Sequence, residues 1–82
     1  MQNQRKDRQM KSNKYYSLAV KYENKWVIEF GSFDRNDVAD AWTEEKKYWI
    51  DNGMRPPEME MLITANSQRA VNAAINKLNK KG

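Results

Sequence analysis

Every Leu, Ile, Val, Phe, Trp and Tyr of this chain lies after position 14. A fold is held by large apolar side chains removed from water, so a core here is confined to residues 15–82. The first 14 positions hold Met1 and Met10 as their only apolar side chains. Such a composition does not offset the entropy lost on ordering a chain. Residues 1–14 therefore read as a disordered basic tail, and residues 15–82 as a single domain. Leu, Ile, Val and Phe number 13 of 82 residues, enough for one small core and no more.

Periodicity places the elements. From Lys14 to Tyr22, residues Tyr16, Leu18, Val20 and Tyr22 alternate with Tyr15, Ser17, Ala19 and Lys21. Period two with aromatic and β-branched content predicts a strand. Glu23-Asn24-Lys25 is a short polar break. The run Trp26 to Phe30 predicts a second strand with Trp26, Ile28 and Phe30 on one side and Val27 and Glu29 on the other. So short a link makes a β-hairpin.

A helix over about 34–52 follows. Asp34 is placed to cap it, with Asp37 three residues on as in a capping box, and Phe33 and Val38 hold the positions of a hydrophobic staple. Val38, Ala41, Trp42, Glu45 and Trp49 fall on one helical face, and Asn52-Gly53 is a stop signal. Pro56-Pro57 makes a loop. Met59, Met61 and Ile63 alternating with Glu58, Glu60, Leu62 and Thr64 predict a third strand. Asn66 or Ser67 then caps a second helix with the stripe Ala70, Val71, Ala74, Ile75 and Leu78.

The order strand, strand, helix, strand, helix gives a ββαβα domain of the α+β class. Its simplest burial scheme is two layers: a three-stranded mixed sheet with both helices on one face and the first strand in the middle. The hairpin is antiparallel, and the helical crossover sets strands two and three parallel. The other face, with Tyr15, Ser17, Ala19 and Lys21 along the first strand, would then be open. It reads as a solvated face by the usual behaviour of such sheets, or as a partner-binding surface on which Tyr15, Val27 and Leu62 are apolar anchors among Glu29, Glu58 and Glu60. Three Glu on that face oppose a nucleic-acid stacking platform, which needs a basic surface.

The chain has no Cys and no His. That removes thiolate nucleophiles, imidazole bases and the usual zinc sites. Its three Gly are Gly31, Gly53 and Gly82, so no glycine-rich phosphate loop exists. Asp34, Asp37, Asp40, Glu44 and Glu45 lack the alternating ligand spacing of a calcium loop and are accounted for as acids favoured near a helix start. No enzyme, cofactor or metal follows from these residues. Glu45, set between Trp42 and Trp49, is expected to snorkel at the edge of the stripe or to pair with a Lys or a Tyr hydroxyl. The alternative is an outward-facing binding hot spot formed with Trp42 or Trp49.

Charge is laid out in blocks. Residues 1–14 carry Arg5, Lys6, Arg8, Lys11 and Lys14 against Asp7, residues 15–60 carry six basic and ten acidic side chains, and residues 61–82 carry four basic and none acidic. The net charge of +4 thus comes from the two ends. The tail suits a weak, salt-sensitive contact with nucleic acid. No apolar run spans a bilayer, and the basic N-terminus lacks the apolar stretch of a signal peptide. A cytoplasmic protein with no membrane contact is expected.

The stretch Trp26-Val27-Ile28-Glu29-Phe30-Gly31-Ser32-Phe33-Asp34-Arg35 resembles a segment of small accessory proteins of tailed bacteriophages and prophages, in which a strand ending Ile-Glu-Phe-Gly leads into an Asp-Arg helix start. The resemblance spans about residues 15–80 and includes the Ala/Asn-rich final helix. It implies a bacterial-host setting and action by binding a host or phage protein, inhibition of a host or defence factor among the outcomes. The alternative is a nucleic-acid-binding accessory protein using the tail and the basic final helix. An edge-strand homodimer is compatible with either.

Overall fold

A computed structural model describes residues 14–81, and the expectations for the basic tail, Lys14 apart, lie outside the described residues. Strands β1 (Lys14–Tyr22) and β2 (Lys25–Ser32) are followed by helix α1 (Arg35–Asp51), strand β3 (Met59–Ala65) and helix α2 (Gln68–Lys81). The sheet order is β2-β1-β3, with the first strand central as expected. The class is α+β. Among the described residues no helix is long and apolar enough to cross a membrane.

Two details of the expected architecture are corrected. The sheet is antiparallel throughout, not mixed, because β1 pairs antiparallel with both neighbours. β2 and β3 do run parallel to each other, but β1 lies between them and no parallel ladder forms.

The helices do not share one face. Val38 of α1 packs on Leu18 and Val20, with Tyr16, Tyr22, Ala41, Trp42, Met59 and Met61 around them. The α2 helix covers the reverse side. Val71 borders a cleft with Tyr15 and Ser17, and the Asn79 side chain clamps the Trp26 backbone, accepting from its N–H at 2.7 Å and donating to its carbonyl at 3.2 Å. Four successive residues of β1, Ser17 to Val20, are buried as a result. A strand can be buried on both faces only with a layer above and a layer below. The domain is a three-layer sandwich, α1 over the sheet over α2.

Local chemistry explains the joints. The hairpin turns on Glu23 (φ 47°) and Asn24 (φ 70°), with Tyr22 opposite Lys25. Two successive positive φ values make a type I′ turn, whose twist matches that of the strands. Along the hairpin the register slips: Leu18 faces Phe30, but Ala19 faces Ile28. Glu29 is the extra residue of a β-bulge. The expected alternation therefore fails, and Ile28 and Phe30 emerge on opposite faces instead of the same one.

At the start of α1, Asp34 accepts from the Asn36 amide at 2.9 Å. The reciprocal half of a capping box is replaced by a relay, in which the Asp34 amide donates to Ser32 Oγ at 3.0 Å and Ser32 Oγ donates to Asp37 at 2.8 Å. The staple does not form. Phe33 sits edge-on to Tyr15 with ring centroids 5.1 Å apart, while Val38 enters the core. The helix stops at Gly53 (φ 73°), with the Gly53 amide on the Ile50 carbonyl and the Met54 amide on the Trp49 carbonyl. This is a Schellman cap, in which glycine takes the left-handed backbone without steric cost.

Candidate functional site

The six residues expected on one open face are divided by the structure. Tyr15, Glu60 and Leu62 share the α2 side, as the cross-strand partners Ser17–Leu62 and Ala19–Glu60 show. Val27 pairs with Val20 on the α1 side, and Glu29, bonded to Tyr22, lies on that side too. Glu58 precedes β3, and its carbonyl accepts from the Lys21 amide at 2.9 Å. Tyr15, Val27 and Leu62 are half-buried, and the three Glu are exposed. Among the described residues, the face expected to be open is occupied by α2, which leaves a cleft at its N-terminal end. Of the basic tail, Lys14 alone is described; it opens β1 and is exposed.

What the structure brings together is a groove between β2 and α1. Glu29 and Phe30 of β2 form one wall, Glu44, Glu45 and Tyr48 of α1 form the other, and Leu18 and Ala41 are at the base. Phe30 is 40% exposed and Tyr48 59% exposed, so two aromatic rings stand open to solvent within a lining that contains three carboxylates and no basic side chain.

A hydrogen-bonded hub stiffens one end. Tyr22 donates its hydroxyl to Glu29 at 2.6 Å and approaches Glu45 at 3.4 Å, and Trp49 donates its indole N–H to Glu45 at 2.9 Å. Glu45 thus finds the hydroxyl partner expected of it, and an indole besides. Burial is the largest influence raising the Tyr22 hydroxyl far above its usual titration range, followed by the hydrogen bond to Glu29 and the negative charges of Glu29 and Glu45. The hydroxyl stays protonated and keeps donating. One hydroxyl shared by two acids holds both carboxylates in place, with lone pairs left over for a cation from outside.

Chemically the groove offers fixed negative charge beside π-faces. Arg and Lys side chains match both, through ion pairing and through stacking on aromatic rings. Among the described residues no three acidic side chains gather to hold a metal ion.

Phe30 and Tyr48 are absent from the surface read in the sequence. Phe30 looked like core because simple alternation placed it with Trp26, and the bulge that moves it leaves no local signal. Tyr48 was findable: Ala41, Glu44, Glu45 and Tyr48 recur at spacings of three and four, one stripe of a helix. Comparison with protein-family models, curated proteins and solved structures finds no match.

Proposed function

We propose that this chain is a small, non-catalytic accessory protein of phage or prophage type that acts by binding a host protein, and that a Lys- or Arg-bearing segment of that partner enters the groove between β2 and α1. The observation carrying this reading is the exposure of Phe30 and Tyr48 directly beside Glu29, Glu44 and Glu45. Exposed aromatic anchors ringed by charge are the usual composition of a binding hot spot, and the acidic rim favours a basic partner during encounter. The phage setting rests on the resemblance of residues 26–35. Inhibition of a host or defence factor is the role that fits a compact binder without His or Cys.

Affinity capture from bacterial lysate, with and without nuclease treatment and with wild type and the double variant Phe30→Ala/Tyr48→Ala side by side, tests it. Tyr48 is largely exposed but Phe30 only 40% exposed, so a thermal melt of the double variant accompanies the capture, and Tyr48→Ala alone carries the test if the double variant unfolds. The reading predicts a stoichiometric protein partner on wild type and its loss on the variant. Recovery of nucleic acid alone, abolished by nuclease, would transfer the function to the basic tail and final helix.

A further inference from the structure

On the opposite side of the sheet a second cleft, of about 410 Å³, opens against the N-terminus of α2. We propose that it binds the carboxylate of a molecule carrying an apolar, preferably aromatic, group. The inference is independent of the acidic groove, which lies under the other helix.

Four observations converge. The helix has 14 residues and no acid in its first turn, so the positive end of its dipole is left uncompensated. Ser67 Oγ takes the Ala70 amide and the Ser67 carbonyl takes the Val71 amide. Among the described residues the amides of Gln68 and Arg69 meet no acceptor, and such orphan donors at a helix start are the groups that hold anions. Next, Ser17 lines the cleft beneath them; it is 0% exposed and its hydroxyl has no hydrogen-bond partner. A buried hydroxyl without a partner is costly and rare. An oxyanion reaching the floor of the cleft would supply the missing acceptor. Finally, beside the polar Asn66, Ser67 and Gln68 at the helix end, the cleft has an apolar wall of Ile28, Phe33, Val71 and the Tyr15 ring, with Phe33 and Tyr15 already meeting edge to face.

The chemistry of the walls selects among anions. Inorganic phosphate would use the amides and leave the apolar surface bare. A carboxylate with an aromatic body uses both, its charge at the helix end and its ring against Phe33 and Val71. Gly31 belongs to the same design. A side chain there would collide with the Tyr15 ring that forms one wall, so glycine at 31 keeps Tyr15 in place.

The test is a titration of the full chain, followed by ¹H–¹⁵N resonances, with 3-phenylpropionate as probe. Its methyl ester and inorganic phosphate serve as controls. The proposal predicts saturable shifts at Gln68 and Arg69 with the acid and only weak, non-saturating shifts with either control. Ser17→Ala should bind about tenfold more weakly, the loss typical of a hydrogen bond to a charged group, while melting no lower than wild type. Two sources could present such a carboxylate, a free small acid or a chain end. A tripeptide ending in Phe, as free acid and as amide, separates them: tighter binding of its free acid than of 3-phenylpropionate assigns the cleft to chain ends, and weaker binding to small acids. Equal shifts with phosphate or ester, unchanged affinity of Ser17→Ala, or no shift with any carboxylate would overturn the proposal.

Discussion

Replacing Val38 by Ala removes two methyl groups from the point where α1 meets the sheet. Val38 is fully buried against Leu18 and Val20. At about 0.8 kcal/mol for each buried carbon the transfer loss is about 1.6 kcal/mol. The space left behind adds up to about 1 kcal/mol, depending on how far the neighbours relax. Ala is the better helix former, which returns roughly 0.5 kcal/mol. The net loss is about 2 kcal/mol. A domain of this size melts lower by roughly 4–8 °C for each kcal/mol, so thermal denaturation followed by circular dichroism should show a fall of about 8–16 °C. Ile50→Ala supplies the control: it deletes more carbon from the same helix, but Ile50 is 56% exposed, and its melting point should move by less than about 3 °C. Equal shifts for the two variants would refute the assignment of Val38 to the core.

Asn79→Ala would strip both partners from the Trp26 backbone and should cost about 1–3 kcal/mol in urea denaturation, the penalty for polar groups left partly buried and unpaired. Glu23→Asn with Asn24→Gly suits the positive φ of both turn positions, and should raise stability by roughly 0.5–1 kcal/mol. Tyr22→Phe should cost about 1 kcal/mol near pH 7 by removing the donor to Glu29 and Glu45. The pH dependence has a definite sign. The folded state holds the Tyr22 proton more tightly than the unfolded chain, which loses it near the ordinary value of 10.0. The stabilisation is present below about pH 10 and is lost as pH rises above it. The gap between wild type and Tyr22→Phe should narrow in denaturation series from pH 9 to 11.5, and a constant gap would contradict the hub.

Much of this fold is legible in the sequence because local signals agree. The hairpin, the Asp34 cap, the Gly53 stop and the α2 stripe rest on chemistry within a few residues, and each appears where the pattern puts it. The position of α2 is not legible, and the reason lies in β1. Tyr15, Ser17, Ala19 and Lys21 read as a solvent-facing row beside the greasier Tyr16, Leu18, Val20 and Tyr22. Ser17 and Ala19 are small as well as unassertive in hydropathy, and small side chains on a central strand leave room for a covering layer. Size, not polarity, was the informative property. The bulge at Glu29 is likewise invisible, since one extra residue in a ladder depends on the partner strand. It also moved Phe30 into the groove beside Glu29, so the part of the candidate site set by the bulge was hidden, while the Glu44–Tyr48 stripe was open to view.

Both proposed sites depend on the sheet being covered from two sides, and nuclear Overhauser contacts from the methyl groups of Val38 and Val71 test that most directly. The account predicts that Val38 shows cross-peaks to Leu18 and Val20, whereas Val71 shows them to Ser17, Ala19 and Ile28. Cross-peaks from both valines to Leu18 and Val20 would place the two helices on one face and contradict it.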